Sequence, residues 1–334
     1  MEQTAGNYTT DELICVCIAR QIEDGEAVAQ GIATPLVAAG YILAKLTHAP
    51  NIVFASTIGN TVCRDWGALS LSGIEETWLG RALRLLSFAE ISGELLPTLQ
   101  PKEFFRPAQV DAYGNLNNVV IGDYYQPRLR LPGCGGIADV TNYSARIHLY
   151  VPRNEGRVFV EKLDFRSGVG CMAGESEAER RKRGIASPGP RYLVSDLGQF
   201  DFANGRLRLV SCHPGVTVEA VQARTGFPLE IAPDLEETMP PTEEEVRLLR
   251  EKIDPLGMRK LECLTGQARQ LALREVIERE KRTMPMTISV NLSSEPRPRG
   301  GPRTGLRALS SQKCANDHQT TDYLTNRPNR NKEV

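Results

Sequence analysis

From Asp11 to Ile22 the chain reads DELICVCIARQI, with apolar residues at helical spacing until Gly25 stops the run. The pair Thr9-x-x-Glu12 is a capping-box pattern and marks where this first helix begins. EAVAQGIA follows and predicts a short strand. The next helix opens at Thr34-Pro35, an N-cap followed by a proline whose fixed φ suits the first helical position. Its body, PLVAAGYILAKLTHA, is almost wholly apolar apart from Lys45 and His48, which predicts burial on most sides. NIVFAS is then a continuous apolar strand. Strand, helix and strand in short order, with the last apolar on both faces, predict a parallel sheet covered on both sides. The expected fold class is α/β, an open, mostly parallel sheet flanked by helices.

Further along, ARIHLYVP and GRVFVEKLDF alternate partially and read as strands. GESEAERRKRGIASPGP, charged and then turn-rich, predicts an exposed loop. In RYLVSDLGQFDFANGRLRLVSCHPG, Asn204-Gly205 predicts the turn of a hairpin. TVEAVQARTG and TEEEVRLLREKIDP read as amphipathic helices, the second opening on a Thr242-x-x-Glu245 box and closing before Pro255. Three segments are expected: a main domain over 1–260, a helical extension over 261–290, and a disordered basic tail over 291–334.

Composition changes this picture little. The net charge of -1 gives no overall reason to expect nucleic acid or an anionic membrane as partner. The tail from Asn291 carries eight Lys/Arg against four Asp/Glu, but only Tyr323 interleaves, which favours a solvated extension over a nucleic-acid arm. No apolar run approaches the roughly 18 residues needed to span a bilayer, and MEQTAGNYTT lacks the parts of a secretory signal. A cytoplasmic location is expected. The eight cysteines are scattered without a C-x-x-C pair, so no zinc site is expected and reduced thiols are the better reading.

Three stretches could carry chemistry. LPGCGGIAD, Leu131 to Asp139, spaces glycines closely after a β-prone run; successive N–H groups there form either an anion-binding nest or a tight turn. In DAYGNLN, Asn115 and Asn117 either bond their own backbone or meet a substrate carbonyl. APNIVFAST ends a strand in Ser56 and Thr57, at the end where open α/β sheets put their ligands. His48, His148 and His213 are isolated. Cys212 and His213 are adjacent in a strand, point to opposite faces and form no dyad.

Several of these stretches recur in a known order. ARQIEDGEAVAQGIATPLVAAG, LTHAPNIV, AQVDAYGNLN, IGDYYQPRLRLPGCGGIAD, VSDLGQFDF, HPGVTVEAVQARTGF and LREKIDP, spread from Thr9 to Pro255, resemble the β subunit of class I CoA-transferases of the glutaconate type. The resemblance implies a CoA-transferase fold, a CoA thioester as substrate with no bound cofactor or metal, and a separate α-type partner subunit in an α2β2 or larger assembly. It also implies an oxyanion role for Gly135 and Gly136, and acyl-CoA contacts at Gly31, Asn115, Asn117, Gly133 and Asp139. Transferase members attack the thioester with a glutamate, and counting from Ala49-Pro50-Asn51 that place falls on Thr57, beside Ser56. A neutral hydroxyl cannot relay CoA through an anhydride and a thioester. Glu75 and Glu76 sit in a separate turn and helix. Relatives without the glutamate decarboxylate glutaconyl-type CoA esters or open a steroid-derived ring by C–C hydrolysis. The resemblance therefore implies one of those reactions; a genuine transferase and a non-catalytic scaffold for the α subunit are the alternatives.

Overall fold

A computed structural model describes residues 3–31, 34–56, 60–73, 76–171 and 176–283. Helix α1, Thr10–Arg20, begins where the capping box places it: Glu12 Oε2 accepts the Thr9 N–H at 2.9 Å. Helix α2, Pro35–Thr47, is buried along nearly its whole length. The two pack closely because Gly40 has no side chain. A Cβ there would lie 2.6 Å from Ile18 Cγ2 and 3.0 Å from the Cys15 carbonyl.

Among the described residues ten strands form one sheet. They are β1 (Ala27–Gln30), β2 (Val53–Ser56), β3 (Thr61–Cys63), β4 (Ala82–Leu85), β5 (Lys102–Phe105), β10 (Ile147–Val151), β11 (Tyr192–Ser195), β12 (Gly198–Asp201), β13 (Arg208–Cys212) and β14 (Glu230–Glu237). Across the sheet they run in the order β14-β13-β12-β11-β10-β5-β1-β2-β3-β4. Two small ribbons lie outside it, β6 (Gln109–Val110) with β7 (Leu116–Asn117) and β8 (Val120–Gly122) with β9 (Pro127–Arg130). The central strands β2, β1, β5, β10 and β11 are mutually parallel, as the early strand–helix–strand pattern predicts. The hairpin forms as β12 and β13, turning through Asn204 and Gly205 at φ 53° and 74°.

On one face α1, α2 and the C-terminal segments bury Val28, Phe54, Phe104 and Tyr150; Met258, Leu261 and Val276 belong to the same cluster. Residues 258–276 thus pack against the first helices of the chain. The other face carries two separate clusters, one around Ala29, Ala55, Ile91 and Leu96, the other around Phe105, Ile147 and Leu149.

Two expectations are corrected. GRVFVEKLDF is not a strand: Phe159 alone bridges to Val110, because the short β6–β7 ribbon offers it no longer edge. The charged insertion is not a loop either. Ser176 and Glu179 form a capping box, and residues Glu177–Lys182 are helical. Arg180, 7% exposed, holds the segment down by donating to the carbonyls of Cys171 (2.8 Å), Pro188 (3.2 Å) and Ser187. The tail beyond residue 283 lies outside the described residues.

Candidate active site

From β1 the chain moves outward to β2 on one side, while β5 pairs with β1 on the other. The strand order therefore reverses between β1 and β5, and a crevice opens beyond their carboxyl ends, where such sheets bind ligands. Gly31 follows β1 and Arg106 follows β5 at this rim. Ser56 closes β2, 1% exposed, in register with Gln30 on β1 and Thr61 on β3. Thr57 and Glu75 lie outside the described residues.

Beneath Ser56, Phe54 packs against Trp78 at a tilt, with ring centroids 4.6 Å apart. The Trp78 Nε1 and the Thr34 Oγ1 are both sealed from solvent with no partner among the described residues. Both residues line a cavity of about 10 Å³ with Pro35, Ala38, Leu69 and Met258. That is room for about one water, and these two polar groups supply the partners it would need. A trapped water is the expected occupant.

The glycine loop is exposed and open. Gly133 donates to the Asn118 carbonyl and Ile137 to the Cys134 carbonyl, both at about 3 Å, whereas the N–H groups of Cys134, Gly135 and Gly136 donate to nothing among the described residues. Gly135 takes φ +52° and Gly136 φ -82°, successive left- and right-handed residues that turn adjacent N–H groups to one side. Asp139 is exposed in the helix Ile137–Tyr143 that follows.

Asn115 and Asn117 are spent on their own loop. Asn115 Nδ2 donates to Asp111 Oδ2 at 2.8 Å, and its Oδ1 accepts the Gly170 N–H at 2.9 Å. Asn117, fully buried, donates to Gln109 Oε1 and the Val120 carbonyl at 2.7 Å and accepts from the Val119 N–H at 3.0 Å. With every amide group engaged, both side chains position the loop and neither is free to meet a substrate.

Neither His148 nor His213 is a ready base. His213 lies between Thr238 Oγ1 (3.0 Å) and the Ser195 carbonyl (2.9 Å), and burial lowers it to about 4. His148 is lowered to about 3 by burial and by the nearby Lys102 charge. Among the described residues no cluster of His, Cys, Asp or Glu has the arrangement of a metal site, and no helix is long and apolar enough to cross a membrane.

Sequence reading misses Glu262. Its carboxylate is buried at the rim, where Oε1 accepts the Leu36 N–H (3.0 Å) and Oε2 accepts from Arg106 Nη1 (3.0 Å) and the Tyr150 hydroxyl (2.9 Å). Burial raises its pKa while the Arg106 charge opposes the shift. Thr34 makes no side-chain cap, so Glu262 caps α2 from 226 residues away. The only local signal is one carboxylate between Leu261 and Cys263.

A family model described as Coenzyme A transferase matches residues 12–224. The chain belongs to the coenzyme A transferase family. It is 34% identical over 256 residues to the B-type subunit of the 3-oxoadipate CoA-transferase of Pseudomonas knackmussii, covering 73% of this chain and 92% of that one. With the B-type subunit of the glutaconate CoA-transferase of Acidaminococcus fermentans it shares 31% over 274 residues (75% and 94%). With the cholesterol ring-cleaving hydrolase IpdB subunit of Rhodococcus jostii it shares 30% over 272 residues (78% and 99%). The crystal structure of the decarboxylase AibA/AibB superposes with a TM-score of 0.66 at 28% identity, covering 76% of this chain and 98% of that chain. The family match takes in β1, β2, β5 and the glycine loop; Glu262 lies beyond it.

Proposed function

We propose that this chain is the B-type subunit of a two-component enzyme that acts on an acyl-CoA thioester by decarboxylation or hydrolytic C–C cleavage. The observation that carries the reading is in the sequence just after β2, where the place counted for the transferase glutamate holds Thr57, next to Ser56. A hydroxyl there would form an ester, which does not pass CoA onward. The likeness to the decarboxylase AibA/AibB and to the ring-cleaving hydrolase subunit supports the reading.

Both reactions push an electron pair into the thioester and make an enolate. The open N–H groups of Gly135 and Gly136 are suited to receive its oxygen, and Gly31 and Gly133 leave room for the CoA chain. Asp139 stands at the rim of the same loop. Ser56 and Thr57 line the acyl pocket as hydrogen-bonding groups. The α-type subunit completes the site in an α2β2 or larger assembly.

A second reading, a genuine transferase, is favoured by the 34% and 31% identities to the B-type subunits of transferases. One experiment separates the two. The complex with its α-type subunit is incubated with glutaconyl-type CoA esters, with and without acetate, and the products are weighed. A product lighter by carbon dioxide, or a ring-opened ester from a cyclic CoA ester offered in parallel, formed without acetate, is expected. Acetyl-CoA formed only with acetate overturns the proposal.

A further inference from the structure

On the sheet face opposite α2, the row Ala55, Ala29, Glu103, Ile147 crosses β2, β1, β5 and β10 in register. Ala29 and Ala55 belong to one apolar cluster and Ile147 to the other, so Glu103 sits on the seam where the two fail to merge. The seam runs under the crevice between β1 and β5. Two inter-strand spacings separate Glu103 from Ala55, about 10 Å, and Ser56 is one residue beyond Ala55.

Glu103 is 6% exposed. Its carboxyl has no hydrogen bond and no ion pair among the described residues, while Lys102 beside it is paired with Glu26 at 2.7 Å. Neither carboxyl oxygen is among the sealed polar atoms that lack a partner, so the group keeps a narrow opening. An unpaired buried carboxyl is costly, and a protein that keeps one without pairing it leaves it neutral. The titratable groups within its field are Tyr143, at the end of the helix that follows the glycine loop, and Tyr41 across the sheet. Both are raised by burial and by Glu103, and neither is charged at neutral pH.

We propose that Glu103 is the proton donor to the enolate carbon of the bound acyl-CoA. The inference rests on the acyl-CoA reading above. As the C–C bond breaks, its electron pair enters the thioester as an enolate. The Glu103 O–H bond then breaks, its proton forms the new C–H bond at the enolate carbon, and its electron pair stays on the carboxylate. Solvent returns a proton to Glu103 through the opening. Burial, which pushes the carboxyl up to about 7, supplies a neutral acid near physiological pH.

The test is hydrogen exchange by the complex with its α-type subunit. Crotonyl-CoA, which has no carboxylate to lose, is held with the complex in deuterated water and weighed with time. Wild-type complex is expected to exchange carbon-bound hydrogen, and Glu103→Gln to lower the rate at least about 100-fold with unchanged ester affinity. Glu103→Asp, a shorter acid, should retain part of the rate. Unchanged exchange in Glu103→Gln overturns the proposal, as does a wild-type complex that binds the ester and exchanges nothing. Should Glu103→Gln fail to assemble, Glu103→Asp carries the same test, and a full rate in it counts against the assignment. Acetate-dependent CoA transfer would defeat the functional reading separately, since exchange is scored without acetate.

Discussion

Glu103 ionises near 4.5 in the unfolded chain and near 7 in the fold, so the folded chain holds that proton more tightly. Its contribution to stability is full below pH 4.5, falls as pH rises towards 7, and is constant above. Glu103→Gln removes the slope. Denaturation midpoints should match wild type at pH 4 and exceed it at pH 8, by at most about 3 kcal/mol. The glycine loop makes a second residue-scale prediction. Gly135→Ala forces an L-residue to φ +52°, at a cost of about 1 kcal/mol, whereas Gly136 at φ -82° accepts alanine. Turnover should fall in Gly135→Ala and hold in Gly136→Ala, with the two-subunit assembly intact in both; wild-type turnover in both would sever the loop from catalysis. The glycine loop was legible in the sequence because a left-handed residue selects glycine locally. Glu103 and Glu262 were not, because burial and distant partners make them unusual, and neither is written in the neighbouring residues.

At the scale of elements, local rules were read well where the whole signal is local. The boxes at Thr9 and Thr242 start helices as read. GRVFVEKLDF failed because alternation says nothing about whether a neighbouring strand edge is available. The joint between α1 and the C-terminal helices was also hidden. Arg259, 2% exposed, pairs with Asp11 (2.8 Å), Glu12 (2.7 Å) and Asp254 (3.0 Å). Burial would raise Glu12, but the Arg250 and Thr9 hydrogen bonds and the Arg259 charge hold it at about 2. Removing the arginine strands Asp11 and Asp254 and leaves Glu12 to Arg250 and the Thr9 N–H. Arg259→Ala should cost about 3–5 kcal/mol in chemical denaturation, and a loss under about 1 kcal/mol would mean the cluster relaxes freely.

Across the whole molecule, the parallel pairing of β1 with β2 follows from the pattern read before residue 60, but the strand order beyond that pair does not. β4 forms one edge of the sheet, with Leu83 and Leu85 each 64% exposed and Phe88, just after it, 67%. An apolar edge with unpaired backbone groups templates association. The chain expressed alone should scatter light increasingly with concentration, and Leu83→Lys with Leu85→Lys should suppress this without moving the melting temperature.

The cap that Glu262 gives α2, and the pairing of Arg259 with α1, also set a timetable. Both helices are made on the ribosome before these partners, for the Leu36 N–H and the Asp11 carboxylate meet theirs only some 220–250 residues later. At about 5–20 residues per second, the first two helices wait on the order of tens of seconds for their final contacts. During that interval Asp11 and the Leu36 N–H can rely only on water, while Glu12 has its local Thr9 N–H. A nascent chain that stops short of residue 262 leaves the ribosome with its oldest helices unfinished.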